Sequence, residues 1–444
     1  MGSPATFSGA VFPGTYKVTV GGNSANGSSL PPQPQTVQAA LVVSANTTGL
    51  TYDVRTHTVS GTVTQNGMVP TGGTCSSSPR GYVTLADAAQ GYSFTFDIPC
   101  MGSPATFAGA VYPGTYKVTV AGNSANGSSL PAQAQAVQQM LAVSADVTGL
   151  AFDVRTHTVS GTVTQNGMVP TGGTCSSSPR GYVVLTDAAQ GYRFTLDIPC
   201  MGAPATFSGA VFPGTYKVTV GGNSANGSSL PPQAQTVQPM LVVSADTAGL
   251  AYDVRTFTVS GTVTQNGTVP TGGTCTSSPR GYVALTDAAQ GYSFSLPIPC
   301  MGSPATFSGA VYPGTYKVTV SGNSANGSSL PAQAQEVQAA LTVAADASGL
   351  AYDVITRTVS GTVTQNGMVP TGGTCTSSPR GYVGFREVQR GYNFSLPIPC
   401  MGAPATFSGD VFPGVYEVSV SGNTANGSSL PGQAQRIIDR LAVP

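Results

Sequence analysis

The chain has 444 residues, only 8% of them charged, and its 17 basic and 17 acidic side chains cancel. That balance gives no electrostatic ground for binding nucleic acid or an anionic membrane. No apolar run approaches the ~20 residues of a membrane-spanning helix, and 40% hydrophobic residues is too many for a chain disordered by composition.

The dominant signal is a period of 100 residues. TVSGTVTQNG begins at Thr58, Thr158, Thr258 and Thr358, and PCMG(S/A)PATF begins at Pro99, Pro199, Pro299 and Pro399. A fixed period of this size marks an array in which one folded unit is reused. The pattern divides the chain into residues 1–54, the C-terminal part of a truncated repeat, then whole repeats at 55–154, 155–254 and 255–354, and a divergent terminal repeat at 355–444. Met1 aligns with Met101, Met201, Met301 and Met401, so the sequence opens in mid-repeat and is expected to be a window on a longer protein.

Within residues 55–154, Thr58 to Thr64 alternates small polar and apolar residues, the period of a half-buried strand. Asn66-Gly67 marks a turn. Residues 68–80 hold Pro70, Gly72, Gly73, Cys75 and Pro79 and read as a loop. Tyr82 to Leu85 is a short strand, and Ala88 to Gly91 turns the chain. Tyr92 to Ile98 then alternates strictly, with Tyr92, Phe94, Phe96 and Ile98 on one face. Ala105 to Val111 is another strand, Pro113-Gly114 a tight turn, and Tyr116 to Val120 a strand with Lys117 facing out. Gly122 to Pro131 (GNSANGSSLP) is a polar loop, and Val137 to Ala145 and Leu150 to Val154 close the unit. Seven short strands in ~100 residues predict an all-β fold, a tandem array of seven-stranded antiparallel β-sandwich domains of the Ig-like or transthyretin-like kind. A unit of this size buries its own core.

Val59-Ser60-Gly61-Thr62-Val63, followed by Phe107-x-Gly109-x-Val111-x-Pro113-Gly114-Thr115-Tyr116-x-Val118-x-Val120, resembles the carboxypeptidase regulatory-like domain. That family stands with the prealbumin-like and Cna-B-type sandwiches of bacterial surface proteins. The resemblance implies stalks, spacers or accessory modules without an active site. Some Cna-B-type relatives cross-link Lys to Asn through an acidic catalyst. Here no Glu recurs in every repeat, since the only ones are Glu336, Glu387 and Glu417, and Lys17, Lys117, Lys217 and Lys317 are expected to face solvent. No such cross-link is expected.

Each repeat owns two cysteines: Cys75 and Cys100, Cys175 and Cys200, Cys275 and Cys300, Cys375 and Cys400. Periodicity leaves two simple pairings, Cys75 with Cys100 inside a repeat or Cys100 with Cys175 in the next. The first is preferred because both positions fall in one expected domain, where the closed loop contributes ~3 kcal/mol. The bland alternative is a pair of buried thiols. Zinc is not expected, because two Cys with no nearby His are too few ligands. A disulfide in each repeat implies an oxidising, extracytoplasmic setting.

At the junctions, Leu150 to Val154 leads through Arg155-Thr156-His157 into Thr158 with no Gly/Ser or Pro-rich linker. Short, stiff joints and a rod-like array are therefore expected, each sandwich advancing the rod by ~35 to 45 Å. The terminal repeat differs: Ile355 and Arg357 replace Arg155 and His157, and GFREVQR stands at 384–390. Its last strand pattern is missing after Pro444. Truncation explains this gap and the one at residues 1–54; strand exchange with a neighbouring subunit is the less favoured alternative.

No catalytic, cofactor-binding or metal-ligating constellation recurs. His57 and His157 become Phe257 and Arg357, which does not suit a general base. Asp53, Asp87 and Asp97 are weak calcium candidates, because Asp97 becomes Pro297 and Pro397 and Asp87 becomes Glu387. Asp53 is expected to satisfy local backbone donors or pair with Arg55. Arg80, Arg180, Arg280 and Arg380 are able to anchor a partner's carboxylate, but an Arg stem packed over a turn is preferred. Tyr82, Tyr92 and Tyr116 are expected in the core. Asn26-Gly27-Ser28 and its equivalents match the N-glycan acceptor pattern, which carries no weight if the source is bacterial, as the repeats lead one to expect.

The expected function is that of a non-enzymatic structural repeat protein, extracellular or at a bacterial cell surface: an adhesin stalk, a surface spacer or a fibre subunit. No cofactor is expected. The expected partners are neighbouring repeats or copies of the same chain. A multivalent array gripping surface glycans through the repeated GNSANGSSLP loops is the alternative.

Overall fold

The computed structural model describes residues 5–23, 28–74, 78–174, 178–271, 278–372 and 378–444. They form two compact units, one of residues 1–163, 182–220 and 236–252, the other of residues 164–181, 221–235 and 253–444. No helix of the described residues is long and apolar enough to cross a membrane.

In the first unit, residues 1–54 supply one antiparallel pair, β1 (Gly14–Val20) with β2 (Gln35–Val43). Residues 55–154 supply seven strands: β3 (His57–Gln65), β4 (Gly81–Asp87), β5 (Tyr92–Ile98), β6 (Thr106–Val111), β7 (Gly114–Gly122), β8 (Gln135–Val143) and β9 (Val147–Val154). They make two sheets, four-stranded β5-β4-β7-β8 and three-stranded β6-β3-β9. This is the expected seven-stranded sandwich, with one difference. All pairings are antiparallel except β3 with β9, which is parallel. The cause is directional: β8 runs back to the end where β3 begins, so β9 sets out from that end beside β3.

Call the end where β3 starts the entry end and the end where β9 stops the exit end. The hairpin at 88–91 and the corner at 112–113 then lie at the entry end. The Asn66-Gly67 turn, the loop leading to Arg80, the Pro99–Pro104 segment and the loop after Gly122 lie at the exit end. Asn66 and Gly67 both have positive φ, 51° and 77°, the backbone that a two-residue hairpin turn requires and Asn-Gly readily adopts.

The alternation read from the sequence places the core. Val59, Val63, Val83, Leu85, Ile98, Val111, Tyr116 and Val118 are each 0% exposed between the sheets. Two glycines let the layers close. A Cβ on Gly109 would stand 1.9 Å from Cε1 of Phe96, and one on Gly61 would stand 2.2 Å from the Leu150 carbonyl oxygen in β9. Side chains there would push apart the sheets or the parallel pair. Tyr116 donates its hydroxyl to the Tyr112 carbonyl at 2.7 Å, which fixes the corner between β6 and β7. Its equivalents Tyr16, Tyr216, Tyr316 and Tyr416 do the same.

In the second unit, residues 255–354 repeat this plan. Phe257–Gln265 lies between Ala305–Val311, antiparallel, and Ala347–Val354, parallel. Gly281–Asp287 lies between Tyr292–Ile298 and Gly314–Gly322, with Gln335–Val343 outermost. In residues 355–444 the four-stranded sheet persists, and Arg357–Val363 pairs with Ala405–Val411 alone.

Burial also leaves a pH signature. Tyr252, 6% exposed, donates its hydroxyl to Gln238 Oε1 at 2.9 Å, and its ring stacks on Phe207 at 5.7 Å. Desolvation pushes its pKa up to about 12 from an ordinary value of 10. The folded state thus holds this proton more tightly than the unfolded chain does. The contribution is complete below the unfolded pKa near 10 and disappears as pH rises through about 12. Thermal melts of Tyr252→Phe and wild type should therefore differ at neutral pH by about 1 kcal/mol and converge across that alkaline window. A gap that does not change with pH would contradict the assignment.

Candidate functional site

The polar side chains buried in each repeat bond to the main chain of loops more than to one another. At the exit end, Asn126 is 3% exposed at the close of a short turn, Ser124–Asn126. Its Nδ2 donates to the Ser78 and Pro79 carbonyls at 3.2 and 3.4 Å and lies 2.9 Å from Cys100 Sγ. Its Oδ1 accepts from Thr74 Oγ1 at 3.1 Å, and its backbone carbonyl accepts from the Thr74 N–H at 2.9 Å. One amide thus ties together three loops.

Arg80 works beside it and is also 3% exposed. Its guanidinium donates to the carbonyls of Pro99 at 2.6 Å, Gly102 at 2.8 Å and Pro70. Burial lowers its pKa. A planar fork of five N–H donors suits converging carbonyls. The arginine therefore neither lies over a turn nor awaits a carboxylate; it closes the exit end from inside.

At the entry end Asp87, 4% exposed, accepts from the N–H groups of Ala89 and Gln90 through Oδ1 and of Thr115 through Oδ2, each at 3.0 Å. This use of the carboxylate accounts for its recurrence without a calcium ion. Among the described residues no group of three or more His, Cys, Asp or Glu gathers as a metal site.

The joints carry the most informative arrangement. Between β9 and the following strand, His157–Gln165, only Arg155 and Thr156 lie outside strand structure. Gln135 grips Arg155 from both sides: its Nε2 donates to the Arg155 carbonyl and its Oε1 accepts the Arg155 N–H, both at 2.9 Å. Asn66 does the same for Thr156, donating to Oγ1 and accepting from N–H, both at 2.9 Å. Asp153 accepts from Thr64 Oγ1 at 2.8 Å and from Gly67 N at 2.9 Å, which fixes the turn that carries Asn66. The clamps recur with Gln235 and Asn166 on Arg255 and Thr256, and with Gln335 and Asn266 on Ile355 and Thr356. The one buried side-chain polar atom without a partner among the described residues is Gln35 Oε1 in the partial repeat.

A second set of contacts flanks each linker. Gln33 accepts the Ser93 N–H at 3.0 Å through Oε1, and its Nε2 donates to the Gly91 carbonyl at 3.4 Å. Tyr192 and Tyr392 accept the N–H groups of Ala136 and Glu336, both at 3.2 Å. The exit end of one repeat therefore bonds to the entry end of the next, through a loop residue at Gln33 and through strand residues at Ala136 and Glu336.

Tyr92 and Tyr116 are core residues, whereas Tyr82 is half-buried. His57 and His157 lie 3.8 and 3.7 Å from Asp146 and Asp246; these aspartates also accept the Thr58 and Thr158 N–H groups at 2.8 Å, at the start of the strands that the histidines begin. Asp53 pairs with Arg55 at 3.1 Å, Asp97 is exposed, and Lys117 faces solvent. Asn126, in the glycan acceptor pattern, is turned inward. Cys100 Sγ lies 3.2 Å from the Gly72 carbonyl oxygen. Cys75, Cys175, Cys275 and Cys375 lie outside the described residues, as does Asn26. Sequence reasoning placed Asn66 in a turn and Asn126 in a polar loop without seeing what either holds, and it missed Gln135 at the start of β8, because uncharged amides in such segments look like ordinary solvent-facing residues.

Replacing Asn126 with Ala should cost about 2 to 4 kcal/mol locally, since two carbonyls and a hydroxyl lose their partner in a buried place. Hydrogen exchange should quicken at Arg80 and Asn123 while the same positions in other repeats stay protected. Unchanged exchange at both would refute this role.

No known protein family matches the sequence, and no curated protein matches it. Among solved structures, the Bacillus anthracis TIE protein is 9% identical with a TM-score of 0.17, over 68% of this chain and 51% of that one, so the chain spans about half its length. A DUF3823 family protein from Bacteroides ovatus is 12% identical (TM-score 0.17), over 43% of this chain and 100% of that one. A protein from the same species described as a "putative adhesin" is 10% identical (TM-score 0.21), over 47% of this chain and 98% of that one. Likenesses this low assign no activity.

Proposed function

We propose that this chain is a structural repeat protein of a bacterial cell surface, in which hundred-residue sandwiches at 55–154, 155–254, 255–354 and 355–444 act as spacers on stiff joints. An adhesin stalk or a fibre subunit fits this reading. The observation that carries it is the two-residue linker whose backbone is gripped by Gln135 and Asn66. A tether meant to swing needs free torsions, and these residues remove them. The chemistry of the repeats points the same way, since their buried polar groups are spent on their own main chain.

We further propose disulfides Cys75–Cys100, Cys175–Cys200, Cys275–Cys300 and Cys375–Cys400. Asn126 supports this pairing: it lies 2.9 Å from Cys100 Sγ and holds Thr74, the neighbour of Cys75, at 2.9 Å. Such bonds belong to an oxidising compartment, hence the extracellular or surface location. The alternative, glycan binding through GNSANGSSLP, finds less support. In the loop at 122–131 the exposed residues are Ser124, Ala125, Gly127 and Ser129, which offer no aromatic platform.

Small-angle scattering of the full chain tests the joints. The expected result is a long particle of uniform cross-section that becomes more compact and heterogeneous when Gln135, Gln235 and Gln335 are all changed to Ala. Flexibility already present in the unaltered chain would remove the basis of the proposal.

The pairing of cysteines is read from a non-reduced tryptic digest. The peptide carrying Cys300 should be joined to that of Cys275, which differs in mass from that of Cys375. A link to Cys375, or free thiols, rejects it.

A further inference from the structure

We infer that the joints are of two kinds and alternate along the chain, with a period of two repeats, according to whether one buried ring carries a hydroxyl. The inference deepens the proposal of stiff joints and rests on it. The position ahead of each Pro-Gly corner reads Tyr112, Phe212, Tyr312, Phe412. All four side chains are 0% exposed. Their rings occupy the same place. Each stands edge-on to two neighbours at almost the same centroid distances: Tyr112 at 5.0 and 5.3 Å from Tyr92 and Phe94, and Phe212 at 4.9 and 5.0 Å from Tyr192 and Phe194. Tyr312 and Phe412 repeat those values within 0.3 Å. Packing inside the repeat is therefore matched, and the oxygen is what differs.

That oxygen reaches across the joint. The Tyr112 hydroxyl donates to the Gln33 carbonyl, and the Tyr312 hydroxyl donates to the Gln233 carbonyl. Each acceptor belongs to the exit loop of the preceding repeat. Phe212 and Phe412 have no donor to offer Gln133 and Gln333. A neutral hydrogen bond in a buried place shifts a local opening equilibrium by roughly two- to tenfold. The joints entered through Phe212 and Phe412 keep the Tyr192 and Tyr392 contacts to Ala136 and Glu336 but lack this bond, and we take them as the ones that open more often.

Hydrogen exchange on the full chain tests this. The entry hairpins at 88–93 and 288–293 share the sequence AAQGYS, but peptides that extend from Ala86 to Phe96 and from Thr286 to Leu296 differ, and the hairpins at 188–193 and 388–393 differ from both, so all four give separable peptides. After correction for intrinsic rates, the hairpins at 88–93 and 288–293 should exchange two- to tenfold more slowly than the other two. Tyr312→Phe should raise the rate at 288–293 by that factor, and Phe212→Tyr should lower it at 188–193. Neither should alter the central strands of its own repeat. Equal protection at all four hairpins, or variants that change the strands and not the hairpins, overturns the alternation and leaves stiff joints standing. Fast exchange at all four overturns the stiff joints and the alternation together.

Discussion

Main-chain groups at the ends of a sandwich have no strand beside them, and a buried one without a partner costs roughly 1 to 3 kcal/mol. Each repeat here has long loops at its exit end that fold over the core, so many carbonyls leave water together. Arg80 and Asn126 meet that demand with donors that are themselves buried. Asp87 meets the converse demand at the entry end, taking three N–H groups. Everything else depends on these closures. The strands supply the core, but the loops must be sealed before the next repeat has anything firm to stand on.

The joint uses the same chemistry one step further along. Gln135 bonds to linker main chain much as a neighbouring strand would, through one donor and one acceptor, and Asn66 accepts a linker N–H while donating to the Thr156 hydroxyl. A side-chain amide is suited to this because it mirrors a peptide group. On the function proposed above, it also explains how a chain with so few charges holds its joints. Surface ion pairs such as Arg55 with Asp53 at 3.1 Å are largely exposed and contribute little, whereas the amide clamps are uncharged.

Much of the fold was legible in the sequence because strand alternation and Pro-Gly or Asn-Gly turns act locally. Tyr92, Phe94 and Ile98 face the core as their spacing requires, and Lys117 faces out. The parallel placement of β9 beside β3 was not legible, since strand direction follows from the number of preceding reversals and not from the residues of either strand. The site was less visible still. A repeated Asn in GNSANGSS and a repeated Gln after Pro look like solvent-facing loop residues until three dimensions bring Thr74, Ser78 and Cys100 to one and Arg155 to the other. Arg80 was visible as a recurrent residue, but its three carbonyl partners come from sequence positions 10 to 22 residues away.

The parallel pair also decides how a repeat meets a pull along its length. The chain enters at the start of β3 and leaves at the end of β9, and these strands lie side by side pointing the same way. Tension therefore tries to slide one strand past the other, straining the hydrogen bonds of the ladder together. A hairpin pulled from its open end loses its bonds one at a time. Sharing the strain across a whole ladder gives the repeat the tougher of the two geometries.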